Sequence, residues 1–491
     1  MKRKKTIQAP AVSTNPLEDS LERFLPLLPE ANQAALLADL QIPLRQSLRV
    51  NPHKTRPDAI HEWAARYGWT VESIPYCPTG WRVEPSPEGT LPSATIEHRL
   101  GQFYILDAAS MLPVELFEGL EEADQPLILD LAASPGGKTT HLAARSGERG
   151  LVMANDSSAE RITALRLVLQ GWGAPNTAVS NFPGERFGQW FPETFDFVLL
   201  DAPCSMQGLR ATDAHPLRPI TAREQSSLAR RQTQLLESAL RAVKTGGQVV
   251  YSTCTLSPEE DEGVLDALLK RYPGSLEIAE LNLPVPAPGL TKVDGISFDP
   301  QVKNAARLWP HLYHTAGFFA ALIRKVNEIP VEPIEPPFRP LEKASFFPLE
   351  HKELQALAGM LQQDYDLDLL TLLDQHSLTL YRRNRLIFAF PELFLSRFGD
   401  FPVQAAGLLF AEQTSEGLLP AAEFVNRFWA KFRGWRCDLP DEWLTAWLRG
   451  EDIPLQSCLP TGRMIVMQDG EGRYLGRGRA AGDKIKNLGR R

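Results

Sequence analysis

The amino-acid sequence predicts an α/β protein built on a doubly wound parallel sheet. Three features carry that expectation. Two apolar runs, Phe195-Asp196-Phe197-Val198-Leu199-Leu200 and Gly247-Gln248-Val249-Val250-Tyr251, read as strands buried on both faces, because they are not strictly alternating. Helical stretches separate the strand candidates, as crossover connections require. A glycine-rich turn follows one strand and opens a helix.

The elements follow in chain order. Residues 1–18 are polar and basic and are expected to be disordered. From Leu21 to Leu48 apolar positions recur at helical spacing, as in Leu36, Leu37 and Leu40. Residues 49–95 mix short elements with prolines. Leu127–Leu131 is a strand, with a helix from about Thr139 beyond its glycines. Leu151–Ala154 is the next strand, and Ala159–Gln170 the next helix. The helical stretch Ser226–Val243 separates the two apolar runs above, and Phe318–Ile323 is a late strand. Five prolines between 330 and 340 forbid regular structure there and predict an extended spacer. Beyond it, Leu378–Tyr381, Leu386–Phe390 and Met464–Met467 read as strands. The expected divisions are a tail (1–18), an N-terminal α/β subdomain (19–100), the sheet domain (101–325), a linker (326–340) and a C-terminal region (341–491).

Composition narrows the class. Hydrophobic residues make up 43% of the 491 residues and charged residues 23%, an ordinary globular balance. The net charge of -8 argues against bulk nucleic-acid binding but leaves room for a local basic patch. No apolar run reaches the roughly 18 residues of a membrane span, and no apolar core follows Met1-Lys2-Arg3-Lys4-Lys5 to make a signal peptide. Cys77, Cys204, Cys254, Cys437 and Cys458 are odd in number and show no CxxC spacing, which argues against a disulfide framework or a cysteine zinc site. A reducing cytosol fits, and it keeps thiols available.

Three constellations carry chemistry. The turn Asp130-Leu131-Ala132-Ala133-Ser134-Pro135-Gly136-Gly137-Lys138-Thr139 leaves backbone N–H groups free at a helix start, which suits a polar ligand. It is not a P-loop, because Ala132 stands where the first glycine is needed, and no GxGxxG is present. Asp156 closes the second strand about 20 residues after the glycines, the place of an acid that binds ribose hydroxyls. It also precedes a helix, where an Asp can serve as a cap. Loop and acid together describe an adenosine-containing ligand. Finally, Asp201-Ala202-Pro203-Cys204-Ser205 and Tyr251-Ser252-Thr253-Cys254-Thr255 place thiols, hydroxyls and a carboxylate beyond strand carboxyl ends. A lone buried Cys is usually an inert small hydrophobe. The pair suits attack on an electron-poor carbon followed by stabilisation of charge.

These residues resemble the S-adenosylmethionine-dependent RNA cytosine-C5 methyltransferases of the NOL/NOP/Sun group. The likeness extends through Leu256-Ser257-Pro258-Glu259-Glu260, Ser47-Leu48-Arg49-Val50-Asn51, Gly101–Met111, and Arg307-Leu308-Trp309-Pro310-His311 leading to Gly317-Phe318-Phe319. It covers about residues 40–325. The resemblance implies a Rossmann-like catalytic domain preceded by an RNA-binding subdomain. It implies S-adenosylmethionine held by Ala132, Ala133, Ser134, Pro135, Gly136, Gly137, Lys138, Asp156 and Asp201. Cys254 is then the nucleophile that adds to cytosine C6, and Cys204 assists elimination and product release. Asp201 contacts the base edge, and Lys138 helps keep Cys254 as thiolate. The target base must be flipped or unpaired. Three positions depart from the family pattern: Met206 where Gly is common, Ser134 where Ala is common, and Pro183 where an acid near the third strand contacts adenine.

Gly450–Leu455, Gly476-Arg477-Gly478 and Lys484-Ile485-Lys486-Asn487 resemble the PUA-like RNA-binding extension of a bacterial branch that modifies small-subunit ribosomal RNA. Residues 473–491 carry seven Lys or Arg against one Asp, a candidate phosphate-contact stretch. The expected partner is RNA, as ribosomal RNA or the small subunit, with no membrane, no metal, a monomeric chain and a cytoplasmic setting. The same chemistry on transfer RNA and a non-catalytic RNA-binding assembly factor remain alternatives at this point. Intact Cys254, Cys204 and Asp201 speak against the second.

Overall fold

The computed structural model describes residues 16–210, 218–415, 417–454 and 462–489. Most of the expected basic tail (residues 1–15), Cys458, Arg490 and Arg491 lie outside the described residues. Residues 16–18 belong to a helix, Pro16–Phe24.

A second helix, Glu30–Leu40, ends ahead of Pro43. The helical spacing does not continue to Leu48. Gln46–Val50 is instead strand β1, and its last four residues are all buried. It pairs antiparallel with β3 (Cys77–Pro85) and β4 (Phe103–Ile105), while β2 (Trp69–Ile74) completes a four-stranded sheet in the order β2-β3-β1-β4. The apolar signal was right about burial and wrong about period, because Pro43 cannot continue a helix.

The large sheet holds the site. Its strands are β5 (Leu127–Asp130), β6 (Leu151–Asn155), β7 (Thr177–Ser180), β8 (Phe195–Asp201) and β9 (Val243–Thr253), joined in parallel in the order β9-β8-β5-β6-β7. Apolar side chains fill both faces. Leu129, Leu131, Met153, Val198, Leu200 and Val249 pack with Leu235, Leu236 and Ala239 of the helix Ala222–Ala242. Ile128, Val152, Leu199 and Val250 pack with Leu142 and Trp172 on the other face. Each such side chain contributes roughly 1.5–3 kcal/mol of burial. This is why the strands read as near-continuous apolar runs.

β10 (Leu276–Ile278), the hairpin β11 (Lys292–Val293) and β12 (Ile296–Ser297), β13 (Ala306–Leu308) and β14 (Phe318–Lys325) follow. The late strand β14 is antiparallel to β9, so that edge of the sheet is mixed rather than parallel.

No regular element lies between Lys325 and Leu341. The proline-rich stretch is nonetheless tied down rather than free. Arg241 donates to the Pro330 carbonyl at 3.2 Å, Ile334 N–H to Gln189 at 3.0 Å, and Ile329 is buried. Proline removes N–H donors but leaves carbonyls to accept.

The C-terminal region holds two five-stranded sheets. The first runs β15-β16-β17-β19-β20, with β15 (Phe347–Pro348), β16 (Leu378–Arg383), β17 (Leu386–Pro391), β19 (Leu408–Thr414) and β20 (Gly417–Pro420). The second runs β21-β23-β24-β25-β22, with β21 (Arg436–Asp438), β22 (Ile453–Pro454), β23 (Met464–Gln468), β24 (Tyr474–Ala481) and β25 (Lys484–Asn487). A short strand, β18 (Ala405–Ala406), leaves this region to pair with β7, covering the open edge of the large sheet.

One buried ion cluster ties the three parts together. Glu148 receives Arg427 at 2.8 and 3.2 Å, His376 Nδ1 lies 3.2 Å away, and His53 Nδ1 lies at 3.8 Å. Burial pushes the Glu148 carboxyl upward, but His376, Arg427 and His53 outweigh it and hold the group at about 2. A carboxyl held below its unfolded value stabilises the fold above that value, and the contribution is lost as pH falls. We expect Glu148→Gln to cost about 3–5 kcal/mol in urea unfolding at neutral pH, because it leaves the buried Arg427 guanidinium without its carboxylate. The gap from wild type should narrow as pH falls from 4.5 toward about 2. An unchanged unfolding midpoint would show that the cluster does not hold these parts together.

Candidate active site

The two cysteine loops meet because β8 and β9 are parallel neighbours with Asp201 opposite Ser252. Both chains leave the sheet at the same end. The sulfurs of Cys204 and Cys254 lie 2.8 Å apart, and both are free thiols. Asp201 stands beside them, with Oδ1 accepting from Ser252 Oγ at 2.7 Å and Oδ2 paired with Lys138 Nζ at 2.7 Å. Asp201 is 32% exposed and Lys138 13%, so the pair faces an opening rather than the core.

Electrostatics acts strongly on Cys204 and on Lys138. Cys204 is held well above the usual thiol range by its bond to Cys254, by burial, and by the charges of Cys254 and Glu260. Burial opposes the charge on Lys138, but Asp201 outweighs it and keeps the ammonium more firmly protonated than usual, with Cys254 adding in the same direction. Lys138 therefore brings a firmly held positive charge to the two cysteine loops.

The glycine loop sits at the end of β5. Gly136 has φ +113°, a conformation that L side chains rarely adopt, and a Cβ there would meet Leu165 and Val168 at 3.0 and 3.1 Å. A Cβ on Gly137 would fall 2.8 Å from the Tyr104 ring. Gly137 opens the helix Gly137–Arg145, whose first N–H groups are free of intrahelical partners. Beneath the loop Asp130 is buried. Its Oδ2 accepts from Thr139 Oγ1 at 2.7 Å and its Oδ1 has no partner among the described residues. Burial pushes its carboxyl up to about 7.

Asp156 follows β6. Its Oδ2 accepts from Ser134 N–H at 3.2 Å and its Oδ1 from Ser158 N–H at 2.9 Å, so it ties the glycine loop to the next helix. Each oxygen keeps a second lone pair. The ligand and cap readings of Asp156 are thus compatible. At the end of β7 the polar group is Asn181, which donates to the Asp156 carbonyl at 2.7 Å. Pro183 lies farther on and begins a turn. The first polar residue past the strand would have pointed to Asn181.

Other residues of the segments that carry the resemblance make contacts their local sequence does not announce. Arg307 is fully buried and donates to Leu256 O at 2.8 Å and to Glu262 Oε1 at 2.9 Å, bracing the loop after Cys254. Glu260 accepts from Ser205, next to Cys204. Cys77, Glu115 and His141 are close enough to share an ion, but Glu115 already takes His141 at 3.0 Å and has Arg145 at 3.7 Å. The expected basic stretch near the C-terminus is partly spent inside the protein. Arg473 pairs with Asp469 and Glu471, and Arg477 donates to the Pro420 carbonyl. Lys484 and Lys486 remain exposed.

A doubly wound sheet, a glycine loop beyond β5, an acid beyond β6 and paired thiols beyond β8 and β9 define a Rossmann-like, S-adenosylmethionine-dependent methyltransferase. Residues 118–324 match the family model for 16S rRNA methyltransferase RsmB/F, and residues 18–108 match the N-terminal domain of 16S rRNA methyltransferase RsmF. The ribosomal RNA small subunit methyltransferase F of Erwinia tasmaniensis is 34% identical over 95% of this chain and 94% of that protein. The protein of the same name from Vibrio atlanticus is 33% identical over 96% of each. The crystal structure of a methyltransferase homologue from Pyrococcus horikoshii has 30% identity and a TM-score of 0.52, covering 64% of this chain and 100% of that one. The chain belongs to the RsmB/F family of 16S rRNA methyltransferases. Among the described residues no helix is long and apolar enough to cross a membrane.

The left-handed backbone at Gly136 gives a direct test. Gly136→Ala should cost about 1–2 kcal/mol of loop strain and weaken S-adenosylmethionine binding by about 5- to 30-fold in calorimetric titration. Unchanged affinity would mean the loop does not form the binding surface.

Proposed function

We propose that this chain methylates C5 of a cytosine in 16S ribosomal RNA, with Cys254 as the covalent nucleophile. One observation carries the reading: two free thiols 2.8 Å apart beside the Lys138–Asp201 pair, at the carboxyl ends of adjacent parallel strands. The names of the relatives supply the ribosomal substrate.

The residues fit S-adenosylmethionine. Asp130 Oδ1 is an unpartnered buried atom beneath the loop, and Gly136 and Gly137 clear space that a Cβ would fill. Residues 132–138 would hold the methionine portion, Asp156 the ribose hydroxyls, and Asn181 would stand near the adenine. When bound, the cofactor supplies an electrophilic methyl group.

The chain's own residues account for the rest. The Cys254 thiolate, favoured by the Lys138 ammonium, forms a bond to C6 of the base and makes C5 nucleophilic. Asp201 accepts from the exocyclic amine and holds the ring. Once Cys254 becomes a neutral thioether, the foremost influence that keeps Cys204 protonated is gone. Cys204 then gives its proton to solvent and, as thiolate, takes the proton from C5. The C5–H electron pair restores the C5–C6 double bond and expels the Cys254 thiolate. The base reaches this site only when unpaired or flipped. Exposed Lys484 and Lys486 on the C-terminal sheet offer phosphate contacts.

Two variants separate the roles. Cys254→Ala should reduce methyl transfer to 16S RNA by about a thousandfold or more and form no adduct. Cys204→Ala should accumulate an SDS-resistant protein–RNA species. The reverse pattern would make Cys204 the nucleophile.

A further inference from the structure

Glu260 is fully buried, six residues beyond Cys254, and makes no ion pair among the described residues. Its carboxyl group turns instead toward the other cysteine loop. Oε2 accepts from the backbone N–H of Ser205 at 2.9 Å, and Oε1 accepts from Ser205 Oγ at 2.5 Å. Gln232, on the helix Ala222–Ala242, donates to Glu260 Oε2 at 2.9 Å and to the Pro203 carbonyl at 2.9 Å. The residues on either side of Cys204 are therefore both held by the Glu260–Gln232 pair. Glu260 is held in turn, since its backbone carbonyl accepts from the buried Tyr251 hydroxyl at 2.5 Å, on the strand that leads to Cys254.

Burying an acid without a cation is costly unless its hydrogen bonds are satisfied, and an apolar side chain would fill the same space at less expense. What an apolar group cannot do is fix direction across two loops. We infer that Glu260 is a positioning residue for this reaction: from the loop that follows Cys254 it clamps Ser205, and through Gln232 Pro203, and so sets the Cys204 thiol against the Cys254 sulfur. The inference rests on the cysteine roles proposed above. It assigns Glu260 to the step Cys204 serves, elimination, and not to bond formation at C6.

The test uses full-length wild type, Glu260→Gln, Cys204→Ala and the double variant, with 16S RNA lacking the modification and methyl-labelled S-adenosylmethionine. Cofactor affinity, single-turnover methyl transfer and decay of the SDS-resistant adduct are followed separately. Glu260→Gln should bind the cofactor as wild type does and transfer the methyl group within about twofold. Its adduct should decay about 10- to 100-fold more slowly, the scale of a displaced catalytic group. In the Cys204→Ala background Glu260→Gln should add no further slowing, because both changes remove one function. A merely structural loss would add. Adduct decay at the wild-type rate in Glu260→Gln, or additive slowing in the double variant, overturns the inference. If Glu260→Gln loses cofactor binding, Ser205→Ala takes its place, with slower adduct decay expected and a wild-type rate overturning the inference. Wild type that transfers no methyl overturns the proposed function itself, and this inference with it.

Discussion

The parallel pairing of β8 with β9 is the constraint on which the site depends. Placing Asp201 opposite Ser252 brings two chain segments out of the sheet side by side, and the thiols three and two residues farther on then meet at 2.8 Å. A slip of one residue would turn Asp201 to the other face of the strand, away from Lys138. The apolar residues on both faces of these strands are what prevent that slip, so the packing of Leu199, Leu200, Val249 and Val250 is part of the chemistry.

Around that meeting point the protein arranges unlike environments for like groups. Cys204 is enclosed, bonded to its neighbour and close to Glu260, and all three favour its neutral form. Cys254 shares the influence of an ammonium that Asp201 keeps charged. Two carboxyl groups at strand ends show the same contrast. Asp130, buried with one oxygen unpartnered, is pushed up to about 7, whereas Asp201 stands partly open and paired with Lys138. Groups of one chemical type are assigned different work by burial and by neighbours.

Much of this was legible in the sequence where the signal is local. The apolar strands, the glycine turn and the thiols at strand ends are written in runs of five to ten residues, and the parallel core was found as expected. What was not legible depends on distant segments. The stretch Gln46–Val50 carries apolar residues that suit either period, and Pro43 decides for a strand. The antiparallel sense of β14 has no local sign. Glu260 and Ser205 are 55 positions apart, and nothing near either residue announces the contact. Arg473 and Arg477 looked available for phosphate, but Asp469 and the Pro420 carbonyl claim them once the C-terminal sheets form. The proline-rich stretch reads as an extended spacer, and its anchoring contacts are not legible because Arg241 and Gln189 lie on other elements.

The central claim is that Cys254, and not its close neighbour, bonds to the base. Wild-type protein with S-adenosylmethionine and 16S RNA carrying 5-fluorocytidine tests it most directly. Fluorine at C5 blocks proton loss, so the covalent species cannot resolve. Peptide mapping of the trapped complex by mass spectrometry should place the nucleotide on the peptide bearing Cys254, with Cys204 still a free thiol. A nucleotide carried by Cys204, or trapping that persists unchanged in Cys254→Ala, would contradict the account.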